Sequence, residues 1–148
     1  MTTELNFTAS PALGRLCRWL RTLGFDCIYL HQEDRTAPDR SCSDRIYLTR
    51  HVDPNERSVI FIGQDKVLDQ LKVLDMLISL KRRCVALSRC IRCNTTLINM
   101  NRHTAKLEVP EHVFISHDRF TRCPSCGRIY WPGTHVDRME ERISKLFS

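Results

Sequence analysis

The sequence lacks three features that would place it in other classes of protein. It has no apolar run approaching the roughly 20 residues that a membrane-spanning helix needs, so no membrane span is expected. It opens on Met1–Glu4 without the basic start and apolar run of a secretory signal. It contains no internal repeat and no low-complexity linker. We therefore expect a protein of the reducing cytoplasm, whose cysteines bind metal rather than form disulfides.

Cysteine, by contrast, is abundant, with eight residues. Cys90 and Cys93 form one CxxC pair, and Cys123 and Cys126 form a second pair roughly thirty residues later. Zn²⁺ prefers soft thiolates, and four sulfurs complete its tetrahedron without leaving a position for water. The spacing predicts a structural zinc ribbon, against the alternatives of disulfides or unconnected thiols. The other cysteines lie in or beside apolar runs and are predicted to be small buried hydrophobic residues: Cys17, Cys27, Cys42 and Cys84.

The chain has 148 residues and a formal net charge of +6. A basic balance of this kind favours a polyanionic partner such as nucleic acid, although a soluble basic protein without such a partner has the same charge. The length accommodates one domain, or a small domain with an appendage. We predict an α/β domain over residues 1–86, and a zinc ribbon with a C-terminal helix over residues 87–148.

The first thirty or so residues have the pattern of a strand–helix–strand unit. A short strand over Glu4–Thr8 leads to Ser10 and Pro11, which predict a helix start with serine as the N-cap. Apolar residues then recur at helical spacing until Gly24 ends the helix, and Phe25–Leu30 is the next strand. Short connections of this kind predict a parallel sheet with a right-handed crossover.

The rest of the chain extends this pattern. Two more buried strands are predicted over Ile46–Thr49 and Val59–Ile62, and a helix over Lys66–Leu80. The ribbon follows, with short antiparallel strands expected over Thr95–Phe120, and a last helix begins near Thr134. The predicted fold class is therefore α/β, a parallel sheet flanked by helices and followed by a four-cysteine ribbon and a short terminal helix.

The first predicted helix carries Arg15, Arg18 and Arg21 on one ridge, each three residues from the next. Like charges at this spacing destabilise a helix by a few tenths of a kcal/mol per pair, about 0.2–0.5. An anionic ligand would relieve that repulsion, so the ridge predicts phosphate binding. A solvated charged face is the alternative.

Three segments, in this order, resemble a known family: Ala12–Arg21 continuing through Leu23–Asp26, then Leu48–Arg50, and finally Cys126–His135. It is the family named for the C-terminal ribonuclease domain of the exonuclease Mut-seven. The resemblance covers nearly the whole chain. It implies a PIN-like α/β nuclease fold with a C-terminal zinc ribbon, and RNA as the partner.

The catalytic pattern that the resemblance implies is incomplete. Such nucleases hold one or two Mg²⁺ or Mn²⁺ ions on carboxylates, and the ions activate the attacking water. An Asp is implied at the end of the first strand, where this chain has Ser10, and another after Leu-Thr-Arg, where it has His51. Both replacements are poor ligands for Mg²⁺. We therefore predict that the hard-cation site is degenerate.

Other carboxylates could restore it. The resemblance places an acidic residue after the second strand, at Glu33 or Asp34, while Asp44, Asp53 and Asp65 lie near the predicted carboxyl end of the sheet. Asp34, Asp53 and Asp65 are the candidate catalytic residues.

Three functions remain open from the sequence. The first is a Mg²⁺- or Mn²⁺-dependent ribonuclease that uses these aspartates. The second is a non-catalytic RNA-binding or ribonucleoprotein-associated module, and the third is a protein-interaction adaptor built on the ribbon. The RNA-binding function assigns phosphate contacts to four arginines: Arg15, Arg18, Arg21 and Arg50.

Overall fold

The protein is seen here in a computed structural model that describes residues 4–31, 45–51 and 59–133, together with positions 138, 141, 142, 144 and 145. In chain order the elements are β1 (Asn6–Ala9), α1 (Gly14–Thr22), β2 (Asp26–Tyr29), β3 (Ile46–Thr49), β4 (Val59–Phe61), α2 (Val67–Ile78), α3 (Leu80–Arg83), β5 (Ile98–Asn99), α4 (Arg102–Glu108), α5 (Glu111–Ser116), β6 (Thr121–Arg122) and β7 (Ile129–Tyr130).

Strands β1 to β4 form one parallel sheet in the order β2-β1-β3-β4. Phe7 of β1 lies beside Cys27 of β2 and Ile46 of β3, and Leu48 of β3 lies beside Ile60 of β4. This arrangement, with helices against the sheet, confirms the predicted α/β class. The bounds of β3 are those predicted from its apolar run.

The main hydrophobic core lies between this sheet and helices α1 and α2. Phe7 and Leu48 contribute from the strands, Leu16 and Leu20 from α1, and Leu74 from α2, all of them fully buried. The predicted helical spacing explains this, because positions three and four apart on α1 share the face turned to the sheet. Cys17 and Cys27 are buried as predicted, whereas Cys84 is half-buried and Cys42 lies outside the described residues.

The start of the first helix differs from its prediction. A short 3₁₀ turn over Pro11–Leu13 precedes α1, and Leu13 N–H donates to the backbone carbonyl of Ser10 at 2.9 Å. Ser10 occupies the N-cap position of this turn and Pro11 follows it, as predicted, but the Ser10 side chain makes no capping hydrogen bond. The predicted stop is confirmed: Gly24 has φ +93°, and a Cβ there would overlap the carbonyl oxygen of Val85.

The ribbon contains a short antiparallel sheet in the order β5-β6-β7. The expectation of short antiparallel strands over Thr95–Phe120 is met by β5 alone in that segment, and α4 and α5, which were not predicted, occupy half of it. Asn101 caps α4 by accepting from His103 N–H at 2.9 Å. A second, smaller core explains the helices, since Ala105, Val109 and Val113 pack with Phe120.

The predicted start of the terminal helix, near Thr134, lies outside the described residues; positions 138, 141, 142, 144 and 145 are helical. The division of the chain at residues 86/87 stays a prediction.

No helix in the described parts of the chain is long and apolar enough to cross a membrane.

Candidate metal centre and nucleic-acid interface

The four ribbon cysteines converge on one point. Their sulfur atoms all lie within 4.8 Å of one another, and the Sγ atoms of Cys90 and Cys126 are 3.8 Å apart. Sulfurs about 2.3 Å from a tetrahedral zinc lie roughly 3.8 Å from each other. Among the described residues, these cysteines form the one group of three or more Cys, His, Asp or Glu side chains that could hold a metal ion.

Two matched turns present the sulfurs. In the first knuckle (residues 90–94), Cys93 N–H points at the Cys90 sulfur at 3.4 Å, and Asn94 N–H donates to the Cys90 carbonyl at 2.9 Å. The second knuckle (residues 123–127) repeats this, with Gly127 N–H donating to the Cys123 carbonyl at 2.9 Å. Asn94 and Gly127 both have left-handed backbone, at φ +62° and +76°. Asparagine and glycine are the residues that tolerate this conformation best.

Tyr130 adds a hydrogen-bond partner to the cysteine cluster. Its Oη lies 3.1 Å from the Cys90 sulfur. Burial raises the pKa of the Cys90 thiol, but hydrogen bonds from Tyr130 and from the backbone N–H groups of Cys93 and Arg92 outweigh it and lower this pKa to about 6. Hydrogen bonding to Cys126, followed by burial, raises the pKa of Cys93 to about 12. The cluster therefore holds a thiolate ready for a metal at neutral pH.

The first knuckle is docked on the edge strand of the large sheet. Cys27 of β2 donates its N–H to Asn94 Oδ1 at 3.0 Å and accepts at its carbonyl from Arg21 Nε at 2.9 Å. Asn94 also donates to Asp26 Oδ1 at 2.8 Å. Edge strands leave backbone groups unpaired, and here two side chains satisfy them.

Arg21 extends this contact to the knuckle itself. Its Nη1 donates to the carbonyl oxygens of Ile91 at 2.9 Å and Arg92 at 3.3 Å. The three arginines of the predicted ridge therefore differ, because Arg15 and Arg18 are exposed while the Arg21 guanidinium binds three backbone carbonyls.

A cleft of about 520 Å³ lies between α1, the end of β2 and the first knuckle, and we call it the basic cleft. Arg15, Arg18 and Arg21 line one side, and Arg92 lines the other.

Two further predicted residues pair with each other. Arg50 Nη2 lies 2.8 Å from Asp65 Oδ1, and Arg50 Nη1 donates to the Gln64 carbonyl at 2.7 Å. The predicted RNA-binding arginine is thus engaged with the predicted catalytic aspartate. The other two candidate catalytic residues, Asp34 and Asp53, lie outside the described residues, as do Glu33 and Asp44.

The carboxyl edge of the sheet brings together neutral polar groups. Ser10 follows β1, is 6% exposed, and its Oγ has no hydrogen-bond partner. Thr49 ends β3, and its Oγ1 accepts from His51 N–H at 3.1 Å. Beyond β4, the buried Oε1 of Gln64 also has no partner. Ser10 and His51 therefore lie beyond the ends of neighbouring strands, because β1 pairs with β3.

A model of the Mut7-C RNAse domain matches residues 5–143. The chain belongs to the Mut7-C RNAse domain family. No curated protein and no solved structure matches it. Membership of the Mut7-C family associates the chain with a ribonuclease or other RNA-related function.

Three residues of this Mut7-C site escaped the sequence reasoning. Arg92 and Asn94 belong to the first knuckle, and Tyr130 hydrogen-bonds its first cysteine. A signal for Asn94 was present, because one residue that tolerates left-handed backbone follows each CxxC pair, Asn94 in one case and Gly127 in the other. The contacts of Arg92 and Tyr130 join distant parts of the chain, and no local pattern indicates them.

Proposed function

We propose that this Mut7-C family protein binds RNA, that its hard-cation site no longer supports hydrolysis, and that its four cysteines hold a structural Zn²⁺. The observation that carries the proposal is the family match over residues 5–143. The net charge of +6 and the exposed arginines of α1 support the same partner, because RNA is a polyanion.

The residues at the carboxyl edge of the sheet support binding over cleavage. Mg²⁺ and Mn²⁺ need oxygen ligands, chiefly carboxylates, to stabilise the charge of a reacting phosphate. Ser10 supplies a neutral hydroxyl there and His51 an imidazole. Asp65 is the one candidate catalytic aspartate that the structure describes, and its carboxylate forms an ion pair with Arg50. With these side chains the protein would keep the nuclease fold but would not hold a catalytic Mg²⁺ or Mn²⁺ ion.

The cysteine geometry supports zinc in particular. Four thiols at mutual distances below 4.8 Å match a closed tetrahedral site. When bound, the ion would neutralise part of the thiolate charge and cross-link the two knuckles. Cys90, Cys93, Cys123 and Cys126 would be its ligands, and no coordination position would remain for water.

RNA binding is tested by fluorescence anisotropy with labelled RNA across a salt series. We expect log K to fall linearly with log[salt], because arginines that contact phosphates release counterions. Absence of salt-dependent binding by metal-loaded protein would overturn the proposed function.

Loss of catalysis is tested by incubating the same RNA with Mg²⁺ or Mn²⁺. The wild type is expected to leave the RNA intact, whereas Ser10→Asp with His51→Asp restores two oxygen ligands and should raise cleavage. Asp118→Asn, an exposed residue of the ribbon, is the matched control. Metal-dependent cleavage by the wild type that disappears in Asp34→Asn with Asp53→Asn would instead establish an active endoribonuclease.

A further inference from the structure

The basic cleft carries positive charge on both walls. Arg15 and Arg18 come from α1, and Arg92 comes from the tip of the first knuckle. All three side chains are exposed, and no described residue that lines the cleft is acidic. Cations that line a concave surface from opposite sides reinforce one another's potential, so the cleft attracts an anion more strongly than a flat patch does.

The two walls are held in a fixed relation. Arg21 donates to the backbone of β2 and to the carbonyl of Ile91, both at 2.9 Å. Asn94 joins the same knuckle to Asp26 and Cys27. These hydrogen bonds join the first knuckle to the sheet at several points. They hold Arg92 opposite α1, so the knuckle does not have to move for both walls to contact one ligand.

Two aromatic rings, those of Tyr29 and His31, also line the cleft. Tyr29 Oη donates to the Pro11 carbonyl at 2.8 Å, and the ring packs so closely on Gly14 that a Cβ there would lie 3.3 Å from it. The His31 ring meets Tyr29 edge to face, with ring centroids 5.2 Å apart. His31 is exposed, so its ring offers a surface on which a base could stack.

The dimensions favour one strand of nucleic acid. A volume of about 520 Å³ falls in the range of about 300–1,000 Å³ that encloses a drug-sized ligand. A nucleotide is of that size, whereas two paired strands are much larger. Arginines combined with an accessible ring are also the features with which proteins bind single strands.

We propose that the basic cleft binds single-stranded RNA, with phosphates on Arg15, Arg18 and Arg92 and a base against His31. The inference rests on the proposed RNA binding and goes further, because one wall of the site belongs to the first cysteine knuckle. Metal in the ribbon is then required for full RNA affinity, although the ion does not touch the RNA.

The test measures the affinity of metal-loaded protein for a labelled single strand and for the duplex of the same sequence. The double variant Arg15→Gln with Arg18→Gln and the single variant Arg92→Gln should each weaken single-strand binding, and the triple variant should weaken it by about 30-fold or more. Each lost phosphate contact should also reduce the slope of log K against log[salt] by about 0.7. His31→Ala should weaken it by roughly 5-fold through lost stacking. Arg119→Gln on the ribbon and Lys72→Gln on α2, both exposed, are matched controls with unchanged affinity.

Because Arg92 lies between two cysteines, the metal content of Arg92→Gln is measured beside its affinity. A variant that retains its metal and loses affinity supports the inference, and so does loss of affinity by wild-type protein after chelation. If the wild type binds RNA but the triple variant binds as tightly as the controls, or if the duplex binds as tightly as the single strand, the cleft is not the site. Failure of the wild type to bind any RNA would instead refute the proposed function.

Discussion

The two cores of this protein differ in size and in what stabilises them. Among the residues that the structure describes, the sheet and its helices enclose a cluster of fourteen buried residues, with side chains as large as Phe7 and Leu74. In the described part of the ribbon, the corresponding cluster has four: Ala105, Val109, Val113 and Phe120. Apolar burial can stabilise the first region on its own. The second has too few buried side chains for that, as is usual for very small domains.

The comparison shows where each region obtains its stability. In the ribbon, the sulfur atoms of the two CxxC pairs lie close together. A bound metal ion would therefore cross-link the two knuckles and add the stability that the small core does not provide. Contacts with the sheet also stabilise the ribbon, because Asn94 and Arg21 form hydrogen bonds that join the first knuckle to β2. Metal removal, core truncation and changes at the junction separate these contributions.

Metal removal should have the largest effect, and it should fall on the ribbon. Structural zinc contributes roughly 10–16 kcal/mol of binding free energy, which here would be folding free energy of the ribbon. Chelation under reducing conditions, or Cys123→Ser, should therefore abolish hydrogen-exchange protection in α4 and α5 while leaving β1 and β3 protected. Hydrogen exchange with mass spectrometry and metal analysis provide the measurement.

Cys84→Ser is the matched control for the cysteine variant. Cys84 is half-buried and lies outside the cluster, with its Sγ 3.3 Å from the Lys81 carbonyl. The Cys84→Ser variant should retain one metal ion per chain and the hydrogen-exchange protection of the wild type. A ribbon that stays protected without metal would contradict the comparison.

Truncating a core side chain should have the opposite pattern and destabilise the sheet region more than the ribbon. Leu20→Ala removes a fully buried side chain from the sheet core and is expected to lower the free energy of unfolding by about 2–5 kcal/mol. Val113→Ala, in the small core, removes two carbon atoms where Leu20→Ala removes three, from a residue that is 7% exposed, and should lower the free energy of unfolding by about 1–2 kcal/mol. Urea unfolding of metal-loaded protein compares the two, and an equal loss would show that the regions depend on burial alike.

The junction between the regions should have an intermediate effect. Asn94→Gly keeps the left-handed backbone at φ +62° but removes the bonds to Cys27 N–H and to Asp26. We expect a loss of about 2 kcal/mol, because a backbone donor and a carboxylate each lose a partner. Hydrogen exchange at the first knuckle and at β2 should increase together.

The second knuckle supplies the control for that change. Gly127 occupies the equivalent position, and a Cβ there would meet nothing within 4 Å. Gly127→Asn should therefore change stability far less than Asn94→Gly does. Similar losses for both would show that Asn94 acts through its own knuckle and not through the sheet.

How much of this the sequence predicts depends on the distance over which each feature is encoded. Each parallel strand is encoded by a local run of apolar residues, and the run Ile46–Thr49 gives the bounds of β3 correctly. The cysteine spacing likewise indicates the four-sulfur cluster, because each CxxC pair is a local signal. The helices of the ribbon are missed because Pro110 interrupts the apolar period between Val109 and Val113, and each half is too short to show a helical pattern.

The role of Arg21 could not be predicted for a different reason. Its Nη1 donates to Ile91, which is 70 residues away. A helix pattern places Arg21 on a face but does not say what covers that face. Ser10 shows the converse limit: a strong local signal places it correctly at the N-cap, but its side chain makes no capping bond, and the serine carbonyl accepts the bond of the 3₁₀ turn from Leu13 N–H.

The smallest effect should be a pH dependence at the same junction. Burial raises the pKa of Asp26, but hydrogen bonds from Arg45 and Asn94, together with the charge of Arg45, outweigh it and hold this pKa below its usual value of 3.8. Since the folded pKa lies below the unfolded one, the carboxylate stabilises the protein above about pH 3.8. That contribution is lost as the pH falls through the folded pKa.

Asp26→Asn isolates this contribution. At pH 7 the variant should be less stable by about 1 kcal/mol, because a charged hydrogen-bond acceptor becomes neutral beside Arg45, 2.6 Å away. The gap from wild type should close as the pH falls below about 3.8, and Asp69→Asn, at an exposed position on α2, is measured beside it as the matched control. Metal content is followed at each pH, so that release of the knuckle is distinguished from protonation of Asp26. A gap that stays constant down to pH 3 would mean that the Asp26 charge does not stabilise the contact between the two regions.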